Sequence, residues 1–345
     1  MVKKSRLITL ILFLVVFSMV ITACGGSKPV EEKKPEDVKP VQWIANTVYP
    51  PNNHHSVGLV EFAEKVKTAT NGKVDITVQS GGALGYKGPE LLKVVRDGLV
   101  PMSDILVSGV AGDEPLFETV TLPFLIQSFE EGKILNDIAR PYFDQAATKW
   151  NQKILYVAPW PAAGVWSKEE VKSLADMKGL KTRTYDKNGA LVVEAVGATP
   201  YPLPFSEVYS SLATGVIDSV LTSTPTAVDA KFWEVLKYYA PVNVTMATNM
   251  VTVNLKEFEK LDKETQDTLV KLGKEMEESM WKMVAELDKE KEKLCNDNGI
   301  ITVQPSKEFL NDLSVITTNI REDWLKTAPP EAKEVIEKFN KQVGR

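Results

Sequence analysis

Asp176 to Asp218 reads DMKGLKTRTYDKNGALVVEAVGATPYPLPFSEVYSSLATGVID, and its punctuation dictates an α/β unit. Lys181 to Thr184 is predicted as a strand, followed by a helix from about Asn188 to Val196 that Gly197 stops. A proline-broken extended run comes next. Ser206 is then placed to cap a second helix, with Phe205 just before it, and Gly215 ends that helix ahead of a strand over Ile217 to Leu221. Arg183 sits in the first strand between Thr182 and Thr184. The chain has six arginines among its 41 Lys and Arg residues, so lysine is its default cation and a guanidinium is a selective choice. The planar fork of arginine suits a carboxylate better than an ammonium does. The competing reading is a strand-end arginine in an ordinary surface ion pair.

Upstream, the same grammar recurs. Val74, Ile76 and Val78 alternate as a half-buried strand. Gly81 to Gly85 then turns the chain into a helix with Pro89 in its first turn and Gly98 at its end, before a strand over Met102 to Val107. A strand over Val41 to Val48 and an amphipathic helix over Ser56 to Thr70 precede this unit, with Leu59, Val60, Phe62, Ala63, Val66 and Ala69 on its apolar side. Between the two units lie a helical segment (Glu130 to Trp150), a strand (Ile154 to Ala158) and a crossing segment, PWPAAGVWSKEEV. Two α/β units separated by roughly 100 residues imply two lobes, each with its own sheet, and a ligand cleft between them. Met246 to Asn254 is expected to return as a strand toward the first lobe. From Lys263 to about Asn298, Leu269, Leu272, Met276, Met280, Met283, Leu287 and Leu294 recur every three or four residues. They predict one long helix of roughly 50 Å, whose methionines serve packing. The boundaries implied are 41–159 plus 246–280 for one lobe and 160–245 plus 281–345 for the other, the C-terminal residues being helical and finishing a single lobe.

At 345 residues, 43% apolar and 25% charged, the chain can support two cored domains. Its formal net charge is −5, and no basic stripe of the kind nucleic acid requires is present. The N-terminus carries Lys3, Lys4 and Arg6, an apolar run from Leu7 to Ile21, then Thr22–Ala23–Cys24–Gly25. That is the pattern of an export signal, and its removal would leave 38 basic against 46 acidic side chains, or −8. Ile21–Thr22–Ala23–Cys24 resembles the bacterial lipobox, which implies residues 1–23 as a lipoprotein signal peptide and Cys24 as the lipidated residue. Residues 25–40, GGSKPVEEKKPEDVKP, mix both charges with three prolines and form a tether. It lets the body stand roughly 50 Å off the membrane. Cys295 is then left without a disulfide partner.

Catalytic grammar is missing: there is no Walker A loop, GxSxG elbow, HExxH or CxxC, and Gly81 to Gly85 lacks the GxGxxG spacing. His54 and His55, the only histidines, read as polar residues of the YPPNNHH loop, since adjacent loop residues seldom ligate one metal together. No metal and no cofactor are expected.

GLKTR, GATPYPLPFSEVY and ATGVID resemble the DctP-type solute-binding receptors of TRAP transporters. FAEKVKTATNGKVDITV, the Gly81–Gly85 turn and TLPFLI (Thr121 to Ile126) match the same family in the same order, and the resemblance covers nearly everything after about Val41. It implies an α/β, two-lobed periplasmic-binding-protein-like fold, each lobe a mixed sheet flanked by helices, with the long helix bracing both. It also implies a monomeric, lipid-anchored receptor on the outer face of the membrane that binds a small organic acid between its lobes and delivers it to TRAP membrane subunits. The alternative is an envelope enzyme or sensor subunit reusing the fold. Carried over by position, Arg183 matches the arginine that clamps the ligand carboxylate, Phe205 the aromatic wedge, and Asn46 a polar contact after the first strand. Thr222 stands where the family commonly has asparagine. A second arginine of sialic-acid-type members falls near Ala163 and is absent. Trp160 and Trp166 flank that segment, either lining the cleft or packing the lobe. These departures favour a smaller or more apolar carboxylate over a polyhydroxylated sugar acid.

Overall fold

The structure, a computed structural model, describes residues 40–345; the expected signal peptide, Cys24 and the tether up to residue 39 lie outside them. The described strands form two sheets. The first contains β1 (Val41–Asn46), β2 (Val74–Gln79), β3 (Met102–Leu106), β4 (Gln152–Pro159) and β10 (Thr248–Asn254), in the order β2-β1-β3-β10-β4. β1 runs parallel to β2 and β3, whereas β10 is antiparallel to β3 and β4. The second contains β5 (Gly164–Ser167), β6 (Lys181–Thr184), β7 (Thr199–Pro202), β8 (Ser219–Thr222), β9 (Tyr238–Ala240) and β11 (Ile301–Thr302), in the order β11-β9-β5-β8-β6-β7. The chain therefore leaves the first sheet after β4, builds most of the second, and returns through β10. All seven residues of β10 are buried, as expected of a strand covered on both faces. Its return to the first sheet agrees with the reading of Met246 to Asn254.

Helices cover both sheets. Around the first lie α1 (His54–Ala69), α2 (Leu91–Arg96), α3 (Phe129–Lys149), α8 (Leu255–Glu259) and α11 (Pro330–Val343). Against the second lie α4 (Leu174–Met177), α5 (Lys187–Ala195), α6 (Val208–Ala213), α7 (Thr224–Asp229) and α10 (Lys307–Thr327). α9 (Lys263–Asp297) is a single helix of 35 residues. Leu269, Met276 and Met280 of α9 join the first sheet's core, and Cys295 joins the second's. The expected long helix thus spans both halves, and two of its methionines pack in the core. Met283 and Leu294, assigned to the same stripe, are exposed.

α9 is fastened to β4, an edge strand of the first sheet. Between Val251 and Thr252 of β10 the partner register skips from Tyr156 to Ile154, so Leu155 bulges. Gly273 sits directly over that bulge: a Cβ built there would lie 2.2 Å from Leu155 O. One turn later, Glu277 accepts bonds from Asn136 Nδ2 at 2.9 Å and Val157 N at 2.8 Å, and from Arg140.

Several local expectations are corrected. His54 and His55 are not loop residues. They open α1 and are buried, because Asn53 serves as N-cap and accepts from His55 N at 2.8 Å. Val60 and Ala69, placed on the apolar side of that helix, are exposed. Ser206 caps nothing: it lies within a 3-10 turn (Phe205–Glu207) that runs into α6, with Pro204 preceding the turn. The crossing segment contains a strand, β5. The last helices divide between the halves. α10 starts in the second sheet's core with Phe309 and Leu313 and ends in the first's with Trp324, where Val335, Ile336 and Phe339 of α11 follow, so 281–345 does not pack as one block.

Gly273→Ala should destabilise the protein by about 1–3 kcal/mol, the usual result of forcing volume into a filled contact. The check is a lower urea midpoint at unchanged slope.

Candidate ligand site between the two sheets

β6 is flanked by β7 and β8, which places Arg183 at the inner side of the second sheet with 4% of its surface exposed. Its Nε donates to Leu203 O at 3.0 Å, and its guanidinium carbon lies 5.9 Å from the centre of the Tyr185 ring. Among the described residues, no carboxylate lies within ion-pair distance of Arg183, and neither terminal nitrogen has a hydrogen-bond partner within the chain. Burial pushes the guanidinium down to about 10, against weak opposing effects from Tyr185, Tyr49 and Asp186. It therefore stays charged at neutral pH. The carboxylate of Asp186 is committed elsewhere, capping α5 by accepting from Gly189 N at 2.8 Å. A buried cation with no counter-ion carries a large desolvation cost, so the site is built to receive an anion.

The space in front of Arg183 is a cavity of about 310 Å³, within the range of small-molecule pockets. Its two walls differ in chemistry. The first sheet and its loops supply Val48, Tyr49, Leu91, Leu106 and Trp160, mostly apolar groups. The second supplies Arg183, Leu203 and Phe205 together with Thr222, Ser223 and Thr226, whose three hydroxyls have no partner among the described residues. The halves are bridged at two places near the cavity. Lys87 Nζ lies 2.7 Å from Glu207 Oε1, and Asn53 Nδ2 donates to Asp229 Oδ2 at 2.6 Å. The arrangement can enclose a small anion with its charge on Arg183, its polar edge toward the hydroxyls and its apolar face against Trp160 and Leu106.

Four of the sequence-derived candidates meet here: Arg183, Phe205, Thr222 and Trp160 all line the cavity. Two do not. Asn46 is fully buried and pairs in register with Ser103, and its Nδ2 donates to Ser103 Oγ at 3.2 Å. The chain reaches the cavity only two residues later, at Val48. Trp166 belongs to the core. Its ring stacks on Tyr239 at 4.0 Å and 18°, and its Nε1 donates to Thr222 O at 3.0 Å, so it supports the cavity wall from behind. Sequence reasoning missed Tyr49, Tyr185, Ser223 and Thr226. Tyr185 was within reach, because a period of two from Arg183 along the extended chain brings it to the same side. Tyr49 lies in a loop with no such signal. Among the described residues no group of His, Cys, Asp or Glu is gathered to hold a metal, and no helix is long and apolar enough to cross a membrane.

Two mixed sheets joined by crossing strands and a shared long helix, with a buried arginine facing the cavity between them, define a solute-binding receptor. Residues 45–327 match bacterial extracellular solute-binding protein family 7, DctP, and the chain belongs to that family, the DctP-type receptors of TRAP transporters. The structure superimposes on DctP6 of Bordetella pertussis, an extracytoplasmic solute receptor binding pyroglutamic acid. The TM-score is 0.84 at 31% identity, covering 87% of this chain and 100% of that one. A marine metagenome TRAP solute-binding protein specific for pyroglutamate matches with a TM-score of 0.84 at 31% identity, over 88% of this chain and 99% of the other. Among relatives by sequence, the 2,3-diketo-L-gulonate-binding periplasmic protein YiaO of Escherichia coli is 28% identical over 238 residues, 66% of this chain and 70% of that protein.

The contrast between core and wall can be measured. Trp166→Ala should cost about 3–5 kcal/mol of stability, as truncation of a buried tryptophan does. Phe205→Ala, at a half-buried wall position, should cost clearly less. Urea unfolding of the two variants compares them directly.

Proposed function

We propose that the protein captures a small monocarboxylate of the size and kind of pyroglutamate between its two lobes and hands it, chemically unchanged, to a TRAP permease. One observation carries this reading: among the described residues, the only guanidinium in the cavity wall is Arg183, buried and without a carboxylate partner. One fork matches one carboxylate. The remaining apolar wall disfavours a polyhydroxylated acid, whose hydroxyls would lose their water without replacement. The pyroglutamate receptors above support the same choice of ligand. Phe205, Thr222 and Trp160 would contact the solute, while Asn46 and Trp166 would act from behind the wall. We take residues 41–159 with β10, the first part of α9 and α11 as one lobe, and most of 160–327 as the other. In this reading the chain works as a monomer and catalyses nothing. It is held at the outer face of the membrane by lipid on Cys24.

Pyroglutamate is the first acid to test. At a thousandfold excess over Kd it should add ~4 kcal/mol of stability, seen as a raised melting temperature. NMR of the recovered solute should show pyroglutamate alone, whereas any product would point to an enzyme. Arg183→Ala should fold and lose about 30- to several-thousandfold in affinity, the range for truncating one side of a buried charge pair. Arg183→Lys keeps the charge without the fork and should recover only part of that loss. Near-wild-type calorimetry for Arg183→Ala would demote the residue to structural duty.

The anchor has its own test. Stable attachment needs more than one acyl chain, so Cys24→Ser should leave the leader uncleaved or release unlipidated protein. Membrane fractionation with lipid labelling indistinguishable from the unmodified chain would refute the lipid anchor.

A further inference from the structure

Behind the apolar wall lies a buried polar cluster that the capture of a carboxylate does not by itself require. Asp104, on β3, is 1% exposed. Its Oδ2 accepts from Thr47 Oγ1 at 3.0 Å, and its Oδ1 accepts from Asn249 Nδ2 at 2.8 Å. Asn249, on β10, is fully buried, and its Oδ1 accepts from Trp160 Nε1 at 2.7 Å. The group nearest in character to a counter-ion is His55, whose Nδ1 stands 3.9 Å from Asp104 Oδ1. Burial and the neighbouring His54 hold His55 well below the ordinary histidine range, so it is neutral at pH 7 and does not balance a charge. Burial accordingly pushes the Asp104 carboxyl up to about 7. A carboxyl kept in such surroundings costs stability unless its geometry is used.

Its geometry has one evident use. An amide side chain can present either its oxygen or its NH2 to a neighbour, and the two orientations have almost the same shape. Asp104 accepts hydrogen bonds, and in either protonation state one of its oxygens remains an acceptor. It therefore forces the NH2 of Asn249 toward itself and the amide oxygen toward Trp160. Indole Nε1 is a donor only, so only this orientation satisfies it. The ring is also confined by its neighbours: His55 at 4.4 Å, His54 at 4.8 Å in an edge-on contact, and Tyr49 at 4.9 Å. We propose that Asp104 and Asn249 are positioning residues for solute binding, a relay that fixes the orientation of the Trp160 indole and so the shape of the cavity wall against which the solute packs. The proposal rests on the reading of the cavity as the solute site. Neither Asp104 nor Asn249 lines the cavity, so their effect on the solute is indirect, chiefly through the Trp160 indole that Asn249 holds.

The test uses the folded chain and two readouts. The first needs no ligand: Trp160 emission and its quenching by acrylamide, each taken as the difference between a protein and its Trp160→Phe counterpart. Asn249→Leu keeps the volume and removes both bonds, so the Trp160 signal should shift and become more easily quenched. Asn249→Ser is the second variant should leucine prevent folding. Asp104→Asn replaces the carboxylate with a group that can present either its oxygen or its NH2 to Asn249, so the Trp160 signal should shift in the same direction as in Asn249→Leu and by less. The second readout is pyroglutamate affinity by calorimetry. Asn249→Leu should weaken it about tenfold, the factor that goes with one net hydrogen bond. Asp104→Asn should weaken it by a smaller factor. Added to Trp160→Phe, Asn249→Leu should have no further effect, because its influence passes through the indole. Full additivity of the two, or a lowered melting temperature with unchanged Trp160 signal and affinity, would overturn the relay and leave both residues as ordinary core. If pyroglutamate does not bind the unmodified protein, the proposed ligand is wrong, and the fluorescence comparison still decides the relay.

Discussion

The seating of α9 on β4 is the contact on which the two-sheet arrangement depends. A helix can approach a strand backbone this closely only where neither side chain nor unpaired carbonyl intervenes. Gly273 supplies the missing side chain, and the bulge at Leu155 supplies the displaced backbone. Glu277 then takes Val157 N, Asn136 and Arg140 together, which satisfies a buried carboxylate and an edge-strand donor at once. From that fixed point the same helix runs on until Cys295 reaches the core of the second sheet. β10 and the segment after β4 provide the other connections between the halves. The cavity lies among these crossings.

Within that frame the two walls divide the work. The second sheet holds the unpaired charge of Arg183 and the unpartnered hydroxyls; the first contributes mostly aromatic and aliphatic surface, its Lys87 being paired with Glu207. Arg183 Nε is tied to Leu203 O, which sets the guanidinium plane. In the proposed reading a carboxylate at Arg183 would meet donors already oriented, and apolar packing over the rest of the solute would remove water from that ion pair and strengthen it.

The aromatic layer around Trp160 shows how much of a binding wall is built from groups that never touch its occupant. His54 and His55 are buried, neutral and packed against the indole. Their place there follows from Asn53 capping α1, which brings the two imidazoles into the first buried turn. Trp166, one strand inward, supports Thr222 from behind in the same manner, through its Nε1 bond to the Thr222 carbonyl.

By itself the sequence determined the α/β alternation, the two-unit organisation, the return of Met246 to Asn254 and the length of α9. Each rests on local periodicity and on glycine or proline stops, which act over a few residues. The scarcity of arginine also singled out Arg183, and the resemblance to the DctP-type receptors added Phe205, Thr222 and Trp160 among the wall residues. Only the tertiary structure decided that Asn46 spends its amide on Ser103, that Trp166 is core, and that α10 passes from the second core to the first, where α11 packs. It alone gave His54 and His55 a buried role. These outcomes depend on which strand lies beside which and on where a helix meets a sheet. Such pairings join residues from about 50 to more than 200 positions apart, and no local pattern encodes which partner will satisfy a buried amide, indole or imidazole.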